Sequence, residues 1–317
     1  MGTTALLGRR SAGKTTFTCM CYSVADTLPW STTFQPEITD ETDILKILDD
    51  FISEKLLPPE TPRRIWNLTS IPVVSRLYDE EILYVDCAGD IQMEALKEIY
   101  DNIEKKGRKG SLKLILSNIS AREKNEELND FVDSFILKKS FSRSQAKELG
   151  KIKADIKVKV KIAFVKSIFD ANRLIVLVDG SELRNWQEGG TEGLYESLNI
   201  FTKIIEEIKF SKVAVVISKG HLFGVNKDNY KSRLEFIERE YLKKYPGTKS
   251  LINARFNRIK VFCVGVPSAG YKCEICKRFY PRESYYIERP WCCDIPTRET
   301  YTDINEIFGV EQIMNWL

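Results

Sequence analysis

Two rhythms of apolar residues run along this chain. Short unbroken runs predict strands buried on both faces: Thr3 to Leu7, Glu81 to Val85, Leu174 to Val178, Val213 to Ile217 and Lys260 to Val266. Between them, longer stretches repeat their apolar residues at helical spacing, namely Lys14 to Ala25, Ile38 to Leu57, Ile91 to Ile103, Glu192 to Phe210, Lys231 to Tyr245 and Asn305 to Leu317. In the second of these, Ile44, Leu45, Ile47, Leu48, Phe51, Ile52 and Leu56 mark one helical face, which stops at Pro58-Pro59. Arg64 to Val74 reads as extended. Strands alternating with helices imply a mostly parallel sheet with helices on both faces, an α/β three-layer sandwich.

One segment breaks the alternation. Between the helix ending at Ile103 and the strand starting at Leu174, two stretches alternate, Leu112 to Leu116 and Ile152 to Ile162, and the rest reads as helix. Charge sets the same segment apart. Residues 104–168 hold 17 Lys and Arg against 8 Asp and Glu, leaving +9 there and −6 elsewhere in a chain of net charge +3. A basic, mainly helical insertion of this kind could face nucleic acid or lipid head groups, although a solvated face or a protein-docking lobe is the preferred reading.

Composition changes little. At 317 residues, with 43% hydrophobic and 29% charged residues, the chain suits one large α/β domain over 1–317. No segment approaches the roughly 18 apolar residues that a membrane span needs. The apolar run Ala5 to Leu7 is too short for a signal-peptide core, and Leu6 stands where a myristoylation site wants Ser or Thr. A cytoplasmic, reducing location is therefore expected, with the eight Cys as thiols or metal ligands.

The chemistry concentrates in G-R-R-S-A-G-K-T, Gly8 to Thr15, placed directly between a predicted strand and a predicted helix. Glycines at both ends let successive backbone N–H groups turn inward, and the helix N-terminus adds partial positive charge, so Gly8, Ser11, Ala12, Gly13, Lys14, Thr15 and Thr16 are expected to cradle phosphates. Lys14 would reach the β and γ phosphates, and the Thr15 hydroxyl would hold Mg²⁺. Asp86, at the end of a strand and within Asp86-Cys87-Ala88-Gly89, supplies the second Mg²⁺ element. Its rival Asp179 also ends an apolar strand, but Gly180 follows it at once, and Asp179 reads better as a strand-end residue.

This order of motifs resembles the Ras-like, translation-factor class of GTPases, in which a P-loop is followed by a switch, D-x-x-G and strands carrying base-recognition motifs. The run Ile44 to Asp90 looks most like the double-GTPase type of bacterial and archaeal G domain. The resemblance implies that Thr61, in Leu57-Pro58-Pro59-Glu60-Thr61-Pro62, closes on Mg²⁺, and that the Gly89 N–H senses the γ phosphate. It also implies base contacts from Ser218 and Lys219, in place of N-K-x-D, and from Ser268 and Ala269. The chain departs from the pattern twice. His221 stands where a carboxylate should read guanine, and a neutral imidazole offers a single acceptor nitrogen; Asn226-Lys227-Asp228 lies past the strand as a weak substitute. Asp90 stands where Gln or His orients water, and its charge opposes a nearby phosphate. Arg9 and Arg10 could supply positive charge in cis, though solvated loop charges are the plainer reading.

The expected function is accordingly a GTP/GDP-binding switch with slow Mg²⁺-dependent hydrolysis and a protein effector or activator. The alternatives are an ATPase or P-loop kinase, and a non-hydrolysing nucleotide-binding scaffold. Near the end, within the loop lobe 270–300, Cys273-Glu274-Ile275-Cys276 and Cys292-Cys293 have a spacing that allows a structural Zn²⁺ site, with reduced thiols or a disulfide as the other readings. Phe279, Tyr280, Tyr285, Tyr286 and Trp291 give that lobe aromatic walls, while Cys19, Cys21, Cys87 and Cys263 are expected in the core.

Overall fold

The computed structural model describes residues 2–9, 11–25, 30–32, 41–58, 69–70, 73–75, 80–82, 85–86, 92–97, 99–101, 164–165, 168–186, 192–208, 210–253, 259–266, 268–273, 279–281, 296–302 and 304–317. Apolar strand β1 (Gly2–Gly8) leads through a tight loop into helix α1 (Lys14–Ala25), as its sequence predicts. Strand β2 (Trp30–Thr32) and helix α2 (Glu41–Ile52) follow. Next come four short strands, β3 (Thr69–Ser70), β4 (Val73–Ser75), β5 (Glu80–Ile82) and β6 (Val85–Asp86). Helical residues at 92–97, 99–101 and 168–170 precede β7 (Arg173–Val178), the five-residue helix α3 (Gly180–Arg184) and the long helix α4 (Glu192–Ile208).

The remaining parallel strands are β8 (Lys212–Ile217) and β9 (Ile259–Cys263). Between them lie α5 (Tyr230–Ile237), a π-helical turn at Glu238–Leu242, and α6 (Pro246–Asn253). Strands β10 (Ser268–Cys273), β11 (Phe279–Pro281) and β12 (Pro296–Thr302) form a separate three-stranded antiparallel sheet, and α7 (Val310–Trp316) closes the described chain.

The main sheet has the order β2-β4-β5-β1-β7-β8-β9. From β5 to β9 every pairing is parallel, while β4 and β2 extend that side through antiparallel pairings. Alternation along the strands sends side chains to two cores. Ala5, Leu7, Leu174, Val176, Val178, Val213, Val215 and Ile217 pack with Leu198, Phe201, Ile204 and Ile205 of α4. Their neighbours Leu6, Ile175, Leu177, Ala214, Val216 and Phe262 pack with Phe17 and Met20 of α1, Phe51 of α2 and Ile313 of α7. Both faces of the parallel strands are thus covered, which explains why their sequences are continuously apolar rather than alternating.

Several boundaries differ from the sequence expectation. The predicted strand Glu81 to Val85 is divided, because Glu80–Ile82 pairs with β1 whereas Val85–Asp86 pairs with β3. The helix expected over Ile38 to Leu57 ends at Ile52, and Lys55 takes a left-handed φ of 58° before the prolines. The basic insertion of residues 104–168, with its alternating stretches Leu112 to Leu116 and Ile152 to Ile162, lies outside the described residues except at 164–165 and 168.

Candidate functional site

The chain crosses from β5, on one side of β1, to β7 on the other, so the order of the sheet reverses at β1. In open parallel sheets, a crevice opens at the carboxyl ends of the strands at such a point. Registers place Gly8 beside Leu177, Val178 beside Ile217, and Ile217 beside Cys263, so the ends of β1, β7, β8 and β9 share one edge. Gly8–Thr15 sits on it.

The loop is tight. Ser11 and Gly13 both have positive φ, 62° and 81°, and the Ala12 N–H donates to the Arg9 carbonyl. Gly13 adopts that conformation without strain, whereas Ser11 holds it at a cost of about 1–3 kcal/mol. The Phe17 N–H donates to the Gly13 carbonyl at 2.8 Å, the first α-helical bond of α1. By geometry the N–H groups of the turn before it have no intrahelical acceptor, which makes the site attractive to an anion.

Lys14 is 7% exposed, and its ammonium donates to the Gly8 and Arg9 carbonyls at 3.0 and 3.1 Å. A buried ammonium needs acceptors, and those of the loop hold this one over the turn. Ala12 is fully buried, and Thr15 and Thr16 are half-buried in the first turn of α1. At the end of β8 the Ser218 N–H donates to the Val178 carbonyl, extending the sheet ladder by one bond. A Cβ placed on Gly13 would lie 3.9 Å from the Ser218 Cβ, so the loop and the end of β8 are neighbours.

Lys219 follows in a left-handed conformation, φ 55° and ψ 37°. Its ammonium donates to both Asp179 oxygens, at 3.0 and 2.9 Å, and to Ser181 Oγ at 3.2 Å. Asp179 is no loose strand end. Its side chain is 4% exposed, and Oδ1 caps α3 by accepting from the Ser181 N–H at 2.8 Å and from Ser181 Oγ at 2.6 Å. His221 lies half-buried in the 3₁₀ turn Gly220–Phe223.

Arg9 differs from the solvated charge expected of it. Nη1 donates to both carboxylate oxygens of Glu182 in α3, at 2.7 and 2.8 Å, with the two side chains 29% and 34% exposed. Neither Ser181 nor Glu182 was anticipated from the sequence, although Asp179-Gly180-Ser181-Glu182 carries a cap residue followed three positions later by Glu, a helix-start signal.

The structure therefore brings together Gly8, Ser11, Ala12, Gly13, Lys14, Thr15, Thr16, Ser218 and Lys219. Asp86 is the second residue of β6, opposite Thr69. Ser268 and Ala269 open β10, where Ser268 pairs with Thr302, and Cys273 ends it opposite Pro296. Thr61, Gly89, Arg10, Cys87, Asp90, Cys276, Cys292 and Cys293 lie outside the described residues. Among the described residues no three His, Cys, Asp or Glu side chains gather to hold a metal ion, and no helix is long and apolar enough to cross a membrane. Cys19, Cys21 and Cys263 are buried thiols, as expected. No protein-family model matches the chain, and no curated protein matches it.

Proposed function

We propose that this chain is a GTP-binding switch of the Ras-like, translation-factor class, with slow Mg²⁺-dependent hydrolysis. The observation that carries the reading is the buried Lys14 ammonium, wrapped by loop carbonyls at the carboxyl end of the strand where the sheet order reverses. Adjacent N–H groups at the start of α1 supply the anion-binding surface, and Lys14 adds a full positive charge. Thr15 and Asp86 offer a hydroxyl and a carboxylate, hard oxygen donors that suit Mg²⁺. Mg²⁺, when bound, neutralises charge on the phosphates. Ser218, next to Gly13 of the loop, and Lys219 after it are the residues this reading assigns to the base.

His221 favours a second reading, an ATPase or P-loop kinase, because the half-buried imidazole occupies the position of a guanine-reading carboxylate. Equilibrium binding of labelled GTP and ATP with Mg²⁺, followed by single-turnover hydrolysis, separates the two. The switch reading expects tighter GTP than ATP and turnover that is slow without a partner. Tighter ATP binding overturns it in favour of the alternative. Lys14→Ala removes charged hydrogen bonds of about 1.5–3 kcal/mol, so triphosphate affinity should fall by about 10- to 150-fold. Unchanged affinity in that variant would remove the site assignment altogether.

A further inference from the structure

Helix α3 is too short to contribute much to the core, yet three of the four residues Asp179 to Glu182 at its start reach the two loops of the candidate site. Glu182 grips Arg9, the second residue of the glycine loop, through both carboxylate oxygens. Asp179 and Ser181 together give Lys219 three acceptor contacts at 2.9 to 3.2 Å. Packing fixes the helix between these grips. A Cβ on Gly180 would stand 2.1 Å from the Ser218 carbonyl oxygen, so α3 lies directly on the end of β8. A Cβ on Gly193, in the first turn of α4, would stand 2.6 Å from Arg9 Nη2, so the guanidinium lies directly against the start of α4.

We infer that Asp179–Glu182 is a two-ended bracket of the nucleotide site, with Glu182 positioning the glycine loop through Arg9 and Asp179 positioning the ammonium of Lys219 against the base. The inference rests on the nucleotide-binding reading above and adds residues that the motif pattern does not contain. The two ends act on different parts of one ligand. Glu182 bears on the phosphates, which every nucleoside triphosphate shares. Asp179 bears on the base, which distinguishes one triphosphate from another. An ammonium released from a nearly buried carboxylate no longer holds its left-handed backbone in one place, and base discrimination suffers first.

Three ligands read the ends separately: GTP, ATP and inorganic tripolyphosphate, each with Mg²⁺, on the full chain. In E182Q the affinities for all three are expected to weaken together by about tenfold, the scale of one charge-assisted hydrogen bond, with the GTP-to-ATP ratio kept. In D179N the side chain still caps α3, because Asn caps as well as Asp, but the charge facing Lys219 is gone. The GTP-to-ATP ratio is then expected to move towards one, with the loss concentrated in the base-bearing ligands. If D179N does not fold, Ser181→Ala carries the same readout, since it removes an acceptor of Lys219 and keeps the backbone cap. R9K keeps the loop's positive charge but not the paired contact with Glu182, and a loss in R9K with E182Q no larger than in E182Q alone identifies the two residues as acting through one another.

Uniform loss in D179N, unchanged binding in both single variants, or additive losses in R9K with E182Q overturns the bracket while the nucleotide reading stands. A wild-type chain that binds none of the three ligands overturns both.

Discussion

Tyr230 and Cys263 introduce a titration into the packed region beneath the ends of the strands. The Tyr230 hydroxyl oxygen accepts a hydrogen bond from the Cys263 N–H at 3.2 Å. Burial, the largest cause, pushes the phenol from 10.0 up to about 12, and burial pushes the Cys263 thiol from 9.0 up to about 12. Both groups stay protonated in the folded chain at pH values where the unfolded chain has lost their protons. The unfolded state then binds fewer protons, so stability is fully present below about pH 9 and falls as pH rises towards about 12. For Tyr230 alone the fall is of order 2 kcal/mol. Urea midpoints measured near neutrality and at about pH 11 should show it. Tyr230→Phe should weaken the alkaline decline and, by leaving the Cys263 N–H without its acceptor, cost about 1–3 kcal/mol at neutral pH. A decline that persists at full size in this variant assigns the effect elsewhere.

Residues differ in how far the sequence discloses them. Lys14 was legible because backbone geometry and charge leave few alternatives to its motif. Asp179 was not, because a carboxylate at a strand end looks the same whether it binds water, a metal ion or a lysine forty residues away. Only the return of the chain at Lys219 settles which.

Among the elements, α4 anchors the larger core, with Leu198, Phe201, Ile204 and Ile205 at 0 to 1% exposure. Ile204→Ala should cost about 2–5 kcal/mol in chemical denaturation, through lost transfer energy and the cavity left behind. Overpacking acts at the other end of the fold. Gly180→Ala drives a methyl group into the Ser218 carbonyl and is expected to lower stability by about 1–3 kcal/mol. A melting temperature at or above that of the wild type would contradict the close approach.

Long buried strands and helices could be read from apolar periodicity, whereas β2, β3, β4 and β6 have two or three residues each and show no period. The helix expected over Lys231 to Tyr245 is broken for a different reason. From Glu238 the ladder widens, and the Lys243 N–H donates to the Glu238 carbonyl at 3.0 Å, five residues back. Leu242, at the end of the wide turn, and Tyr245, beyond it, are buried at 0% and 3% exposure. Spacing at 3.6 residues cannot disclose such a turn, because the tertiary core decides it. The antiparallel sheet of β10, β11 and β12 stands where the sequence predicts a loop lobe, since its strands carry Gly, Pro and charged residues that depress any strand signal.

Across the whole molecule, the parallel sheet followed from the alternation of strands and helices, but the pairing of β1 with both β5 and β7 did not. Strand order is a property of long-range contacts, and local pattern carries little of it. At this scale a ligand seated on the strand ends should couple to global stability. A saturating nucleotide, at about 100 times its Kd, would add about 2.7 kcal/mol and raise the melting temperature by several degrees. At the same ligand concentration Lys14→Ala, with affinity weaker by about 10- to 150-fold, should reduce the added stability to about 0.3–1.4 kcal/mol without lowering the melting temperature of the unliganded chain by a comparable amount. Equal shifts in the variant and the wild type would place the ligand elsewhere.

Strand β1 has one neighbour at moderate distance, Thr4 pairing with Ile82, and one far along the chain, Thr4 pairing with Arg173, while Arg9 is held by Glu182, 173 residues onward. During synthesis the glycine loop has its local bonds, from Lys14 and Ala12, long before β7 and Glu182 can complete its surroundings. Closing loops of that length is slow, so the anion-binding turn is completed near the end of folding rather than at its start. A ligand that recognises only the finished turn cannot hasten the search. It can only delay the reverse step, so added nucleotide should leave the refolding rate unchanged and slow unfolding, which kinetic measurements in urea would register as a shift of the unfolding arm alone.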